Sequence, residues 1–317
     1  MFKKVSSGVL IVVLAVLMIA YLIVKYSRSD DRTFKSKVLT VDPATITQII
    51  IDDPKSQQDP VNLWKTGDKW MVKVNNRDFT ADSNVVKNML KVLSDMPTKR
   101  FAGKGSDAYA KYEVADTSGT LVTLKSNDKK VAELLVGKFS YNVPKDQQQQ
   151  MQGGRQPRGE MTSYVRIPDD KEVYAVDGYL KMTFSGKTDS YRYKSLSGVN
   201  PADITKITVK EPGSVKVYES PSGKWTLNGA PADSATVVRY RSALARLNGS
   251  KFYDTEGAPS IASHSVVIEG NNFTPIEIQA YPVADTNINY VISSSANPGA
   301  YFSGKEGGLF KRIWPVE

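Results

Sequence analysis

The chain has 317 residues, of which 40% are hydrophobic and 9% aromatic, a composition typical of a globular protein with room for two domains. Its formal net charge is +9, but lysine and arginine are spread along the chain, usually beside acidic residues, without long blocks of one sign. This distribution argues against a nucleic-acid-binding protein and predicts a mildly basic surface suited to anionic lipid or an acidic partner. The absence of cysteine excludes disulfides, cysteine zinc ligands and a lipoprotein lipobox.

The N-terminus predicts a membrane anchor over residues 1–28. Residues 5–24 are apolar apart from a weak interruption at residues 6–8, and about 20 such residues suffice for a helix that crosses a bilayer. A cleavable signal peptide is the alternative, but its apolar region is usually only about 7–15 residues long and ends in a small-x-small site. The run here is longer and ends in residues 21–24, Tyr-Leu-Ile-Val. We therefore expect an uncleaved, single transmembrane helix.

The sequence gives conflicting signals about the side of the membrane on which the body lies. Lys3 and Lys4 precede the helix, whereas five basic residues follow it between Lys25 and Lys37, so the positive-inside rule would leave the body in the cytoplasm. The short N-terminal tail, however, resembles the n-region of an export signal, and a cysteine-free chain suits a compartment where free thiols are a hazard. We expect a protein of the bacterial inner membrane with an extracytoplasmic, periplasmic body.

The body contains an internal similarity that predicts two tandem repeats, over residues 38–192 and 195–317. Residues 41–54 align without a gap on residues 199–212, and each stretch predicts a turn followed by a short strand that stops at proline. Leu63-Trp64 then aligns with Val217-Tyr218, and Trp70 with Trp225. We interpret the tryptophans as core packing rather than ligand platforms, because they recur at the same place.

Each repeat next predicts an amphipathic helix and a group of strands. The helices begin at the caps Ala81-Asp82-Ser83 and Ala232-Asp233-Ser234 and carry apolar residues on one face. The strands that follow are predicted over these ranges in the two repeats: 121–124, 131–136, 164–167 and 173–176, then 266–268, 276–278, 290–292 and 300–302. The first two form a predicted hairpin around Asn127-Asp128. The predicted fold class is α+β, in which each repeat is an antiparallel curved sheet with one amphipathic helix packed on it, after the transmembrane helix.

The two repeats differ mainly at a glutamine-rich loop, residues 144–160, which the second repeat replaces by a short link near residues 282–287. Its composition cannot bury enough apolar area to form a core of its own, so a solvated hairpin tip is one interpretation. The other is a partner-docking loop that orders on contact. The candidate docking residues are Lys145, Gln148, Met151, Arg155 and Arg158.

These landmarks resemble a bacterial family known as domain of unknown function 4340. The likeness rests on Gly67-Asp68-Lys69-Trp70, the Ala-Asp-Ser cap with its helix, Val136-Gly137-Lys138, residues 164–166 and residues 173–176. It covers nearly all of the body, but the motifs are short and structural. The resemblance implies an envelope protein often encoded beside ABC-type transport components of the kind found with gliding-motility systems, and it implies no catalytic residues.

No catalytic, cofactor-binding or metal site is predicted from the residues. The single histidine, His264, starts a predicted strand, and no Gly-x-Ser-x-Gly elbow accompanies it. Gly137-Lys138-Phe139 imitates the end of a phosphate loop, but Ala132 stands where the first glycine is required, so we interpret it as a turn. The adjacent carboxylates Asp169 and Asp170 lie in a predicted hairpin turn rather than as an acid–base pair.

The expected function is therefore a non-enzymatic, membrane-anchored scaffold or adaptor of a bacterial envelope complex, an accessory component of an ABC-type transport or gliding-type surface machinery. We expect no cofactor and no nucleic acid, and other envelope or ABC-type membrane proteins as partners. The alternative is an extracytoplasmic module that binds glycan, peptide or lipid in the groove between the repeats. A hydrolase with dispersed carboxylates is a third possibility without a motif behind it.

Overall fold

The computed structural model describes residues 35–142, 159–220, 223–254, 261–285 and 287–315, together with Leu14 and residues 16–19. The predicted anchor at residues 1–28 therefore lies outside the described residues except for those five, which are helical and exposed. Within the described part of the chain, no helix is long and apolar enough to cross a membrane.

Two antiparallel sheets and five α-helices make up most of the described structure. The strands are β1 Lys37–Leu39, β2 Gln48–Asp52, β3 Val61–Thr66, β4 Lys69–Val74, β5 Arg77–Thr80, β6 Met96–Pro97, β7 Arg100–Lys104, β8 Thr120–Ser126, β9 Lys129–Asn142, β10 Glu160–Arg166, β11 Glu172–Asp177, β12 Ile204–Glu211, β13 Ser214–Glu219, β14 Thr226–Leu227, β15 Ala230–Pro231, β16 His264–Gly270, β17 Ile276–Pro282, β18 Tyr290–Ser294 and β19 Tyr301–Ser303. The helices are α1 Ser83–Ser94, α2 Gly105–Tyr112, α3 Leu180–Thr183, α4 Ser234–Ala245 and α5 Leu309–Ile313. The predicted α+β class with antiparallel sheets is confirmed.

The first sheet has nine strands in the order β5-β4-β3-β2-β8-β9-β10-β11-β7, and the second has eight in the order β15-β14-β13-β12-β16-β17-β18-β19. The predicted hairpin between β8 and β9 turns at Asn127 and Asp128, whose φ angles are +45° and +68°. Asn and Asp tolerate this left-handed conformation, and such turns match the twist of paired strands. This is why a two-residue polar break between apolar runs located the hairpin.

Helices α1 and α4 begin where the sequence predicts. The carboxylate of Asp82 accepts hydrogen bonds from the amides of Asn84 and Val85, and Asp233 caps α4 in the same way. Helix α1 then buries Val86, Met89, Leu90 and Leu93 against one face of the first sheet, where they join its main hydrophobic core. The capping side chains satisfy amides that have no partner within the helix.

Helix α2 covers the opposite face of the first sheet, a feature that the sequence reasoning missed. Its Ala108 and Tyr112 pack with Val114, Tyr164 and other buried residues in a separate, smaller core. Strand β11 is consequently buried on both faces, with Tyr174 and Val176 in the main core and Val173 and Ala175 in the smaller one. Burial on two faces explains why residues 173–176 form an unbroken apolar run.

Gly137 lies inside β9, so its interpretation as a turn is wrong. A Cβ atom at this position would lie 2.2 Å from the carbonyl oxygen of Tyr112 and 2.4 Å from Cγ1 of Val114. Glycine therefore lets the end of α2 approach the strand backbone directly. Arg166 of β10 secures the same loop, because its buried guanidinium donates to the carbonyl of Val114 at 2.9 Å and to Asp116 at 2.5 Å.

The segment that joins the two sheets is hydrogen-bonded to both of them. The amide of Asp82 donates to the carbonyl of Tyr191 at 2.7 Å, and that of Tyr193 donates to Thr80 at 2.9 Å. Three residues further on, the amide of Leu196 donates to the carbonyl of Leu247 at 2.8 Å. Because Tyr191 is buried in the first core and Leu196 in the second, the linker is fixed at both ends.

We expect Gly137→Ala to destabilise the protein by about 1–3 kcal/mol or more, because the added methyl group overpacks a contact with backbone atoms. Urea denaturation followed by circular dichroism measures the change. Lys138→Ala is the control, since Lys138 is the exposed neighbour in the same strand. Equal stability of the two variants would show that α2 moves aside without cost.

Candidate functional site

A buried arginine holds the two sheets together where the linker passes between them. The side chain of Arg192 is 1% exposed. Its guanidinium stands 3.5 Å from the ring centroid of Phe252 and 4.2 Å from that of Phe79, so it is stacked between one ring from each half of the body. A planar guanidinium is suited to stacking of this kind, because it is weakly hydrated and spreads its charge.

Asp254 supplies the matching negative charge. Its two carboxylate oxygens accept from Nη1 of Arg192 at 2.5 Å and from Nη2 at 2.9 Å, while Asp189 lies 3.1 Å from Nη1. Arg77 approaches Asp254 from the exposed side at 3.9 Å. The buried charge is thus bound in two-pronged fashion, the geometry that offsets the cost of removing it from water. Of the three guanidinium nitrogens of Arg192, Nε alone is buried without a hydrogen-bond partner.

A cleft of about 1160 Å³ opens beside this junction. Asp189 and Asp254 form part of it, and its walls come from the β2–β3 loop, the β4–β5 hairpin and the turn before Asp189. It is lined by Lys55, Ser56, Gln57, Gln58, Asp59, Pro60, Asn62, Lys73, Val74, Asn75, Asn76, Lys187, Thr188, Asp189 and Asp254. Only two of these residues are apolar, so the cleft is a polar one. The junction itself is filled by the stacked side chains, but this flank of it is open.

A second candidate surface lies where strand β9 ends and strand β10 begins. Phe139, Tyr141 and Met161 lie on one face of this pair, and the ring of Tyr179 packs on that of Phe139 in a tilted arrangement with centroids 4.2 Å apart. Met182 of α3 follows one helical turn later. Four of the five are strongly exposed: Tyr141 51%, Met161 49%, Tyr179 42% and Met182 75%. We name these five residues the arm patch. Exposed apolar residues in contact with one another are rarer on a soluble surface than isolated ones.

The predicted docking residues flank this patch in sequence. Lys145, Gln148, Met151, Arg155 and Arg158 all lie outside the described residues, as does nearly all of the glutamine-rich loop. The chain leaves the described part after Asn142 in β9 and returns at Gly159, just before β10. Both ends of the loop therefore adjoin the arm patch. Sequence reasoning singled out the loop and missed the patch, whose members are spread over 44 residues of the chain.

His264 begins β16, as predicted, but it is packed among aromatic rings rather than placed on an open edge. The rings of Tyr290, Phe310 and Trp314 lie 5.3, 5.1 and 5.5 Å from it, and Nδ1 is 2.8 Å from the hydroxyl oxygen of Ser263. Burial lowers the pKa of His264, and the negative charge of Glu211 opposes that shift. In the described part of the chain, no carboxylate hydrogen-bonds its ring, and no group of three or more metal-ligating side chains exists.

The tryptophans divide into two kinds. Trp70 and Trp225 are 7% and 6% exposed, in agreement with the prediction of core packing. Trp64 is half-buried on the outer face of β3, where Nζ of Lys73 stands 5.8 Å from its ring centroid. For Trp64 the prediction of core packing is wrong, because neighbouring strand residues point to opposite faces and Leu63 takes the inward position.

Taken together, the antiparallel sheets with few helices define an α+β protein whose candidate sites are a polar cleft and an exposed apolar patch. Comparison with protein families adds a particular family: the model of the domain of unknown function DUF4340 matches residues 70–263. The match covers more than half of the chain, and the chain belongs to this family. No curated protein and no solved structure matches it.

Arg192→Ala is expected to destabilise the protein by about 3 kcal/mol or more, since it removes the partner of Asp254 and the guanidinium on which Phe79 and Phe252 both stack. Equilibrium denaturation in urea measures the loss. Arg77→Ala is the matched control, because Arg77 faces the same carboxylate from the surface and should cost about 1 kcal/mol or less. If both arginines prove equally dispensable, the junction depends on the linker alone.

The burial of His264 predicts a pH dependence of stability. An unfolded histidine has a pKa of about 6.5, so as the pH falls the unfolded chain takes up this proton before the folded protein does. Stability present above that pH is therefore lost as the pH falls towards the lowered pKa of the folded state. The free energy of unfolding measured between pH 7.5 and 5.0 should fall more steeply in the wild-type protein than in His264→Phe. Parallel profiles would contradict this account.

Proposed function

We propose that this protein is a membrane-anchored scaffold or adaptor of a bacterial envelope complex, an accessory component of an ABC-type transport or gliding-type surface machinery. In this proposal residues 1–28 anchor the chain in the inner membrane and the body is periplasmic. The observation that carries the proposal is the arm patch, since tyrosine, phenylalanine and methionine are enriched where proteins dock on one another.

The position of the patch favours a protein partner over the lipid of the chain's own membrane. The described body starts at Lys35, whose Nζ lies 2.7 Å from Asp170 in the β10–β11 turn. The patch residue Met161 lies at the other end of β10, roughly 20 Å away at about 3.3 Å per residue. An anchor that precedes Lys35 would thus reach the body at the end opposite the patch.

The charges around the patch point the same way. Lys99 donates to Glu160 at 2.7 Å and to Asp177 at 3.1 Å, so the rim beside Met161 carries both signs. A surface built for anionic lipid would carry an excess of lysine and arginine. An apolar centre with a paired, mixed-charge rim is the pattern of a protein–protein interface.

The two halves of the body are, in this proposal, diverged copies of one unit. Their strand orders correspond, and so does the pairing register: Ile49 lies opposite Leu63 and Leu124, as Ile207 lies opposite Tyr218 and Ile268. This register matches Leu63, not Trp64, to Tyr218, one residue away from the alignment read from the sequence. Duplication would give a scaffold two similar sheets. Only in the first of them do two strands, β9 and β10, extend to carry the arm patch.

Site-specific photocrosslinking in intact cells tests the proposal. A photoreactive amino acid at position 161 or 182 should capture the same protein, identified by mass spectrometry as a membrane component of an ABC-type transporter. Val215 is the matched control position, because it is 53% exposed but lies in the second sheet. Met182→Ser should reduce capture from position 161 without lowering the melting temperature.

Three outcomes would overturn the proposal. Adducts with lipid alone would make the patch a membrane-contact surface, and crosslinks between copies of this chain alone would make it a self-association surface. Capture of the same proteins from position 215 would show that the patch has no specificity.

A further inference from the structure

We propose that the polar cleft beside the Arg192 junction is a binding site for a neutral oligosaccharide. The cleft lies on a different part of the body from the arm patch, and its residues take no part in the proposed docking. The argument rests on the balance of its charges, on its uncharged polar groups and on the aromatic ring beside it.

The charges of the cleft cancel. Lys55, Lys73 and Lys187 are matched in number by Asp59, Asp189 and Asp254. Most are also neutralised locally: Lys55 pairs with Glu113 at 2.6 Å, and Asp254 with Arg192. Among the described residues Lys187 and Asp59 make no ion pair, and they carry opposite signs. A strongly charged ligand would find no excess of opposite charge here to attract it. A neutral polar ligand does not depend on such attraction.

The uncharged groups match a ligand rich in hydroxyl groups. Seven lining side chains are amides or hydroxyls: Ser56, Gln57, Gln58, Asn62, Asn75, Asn76 and Thr188. Each amide presents a donor and an acceptor side by side, and a sugar hydroxyl likewise donates and accepts. Sites for lipid or drug-like ligands are lined mainly by apolar side chains, but here these are only Pro60 and Val74.

Trp64 does not itself line the cleft, but it lies beside two residues that do. It lies on the same face of β3 as Asn62, two residues away, and the ammonium group of Lys73 stands 5.8 Å from its ring centroid. Both of these neighbours line the cleft. A half-buried indole can pack against the apolar face of a sugar ring while the amides bind its hydroxyls.

Isothermal titration of the full-length protein, in a detergent without a sugar headgroup, tests this site. The probes are cellohexaose, maltohexaose, chitohexaose and mannohexaose, with inositol hexakisphosphate as a polyanion. At least one hexasaccharide should bind, and both Trp64→Ala and the double variant Gln57→Ala/Gln58→Ala should weaken it ten-fold or more. Asn88→Ala, which removes an exposed amide from α1, should bind like the wild type.

Circular dichroism and the melting temperature show whether each variant folds. Gln57 and Gln58 are exposed loop residues, so the double variant stays informative even if Trp64→Ala is unstable. The proposal is overturned if none of the four hexasaccharides binds, or if one binds equally well to all variants. Binding of inositol hexakisphosphate alone would also overturn it, since the lysines would then define an anion site.

Discussion

The stacking of Arg192 between Phe79 and Phe252 is the constraint on which the arrangement of this protein depends. A buried guanidinium is costly unless its charge is matched and its donors are occupied. Asp254 and Asp189 match the charge and accept from both terminal nitrogens, from opposite sides of the linker in sequence, and Nε alone of the guanidinium nitrogens has no partner. The first half of the body contributes Phe79, the second half contributes Phe252 and Asp254, and the linker contributes the arginine. The complete arrangement, in which the arginine is both stacked and paired, therefore needs all three parts to fold against each other.

The two candidate sites depend in different ways on the fixed arrangement of the two halves. The cleft takes Asp254 from the second half and its other walls from the first half and the turn before the linker, so the junction completes its lining. The arm patch belongs to the first half alone, but its direction relative to the rest of the body is fixed by the hydrogen-bonded linker. A scaffold that presents one partner to another needs such a fixed direction, because a loosely tethered module loses orientational preference.

The two halves also show how similar sheets acquire different surfaces. The first sheet is covered on its second face by α2, which requires glycine at position 137 for close approach, and Arg166 holds the loop that follows this helix. Its strands β9 and β10 continue beyond that core and carry the apolar patch outwards. In the second sheet the aromatic cluster around His264 instead fastens α5 at the C-terminal end. The elements that cover each sheet and the length of its strands distinguish the halves.

Sequence alone determined the local features of this protein. A two-residue polar break located the β8–β9 hairpin, and Asp82 and Asp233 marked the starts of two helices. The spacing of apolar residues indicated the buried face of α1. All of these signals depend on contacts within a few residues of the chain. Tertiary structure decided the rest. Gly137 and Arg192 carry no local signal of their roles, since each acquires its role from residues distant in sequence: the end of α2 for Gly137, and a ring from each half for Arg192. The anchor and the glutamine-rich loop are predictions from composition, whereas the patch and the cleft became visible only once the strands were paired.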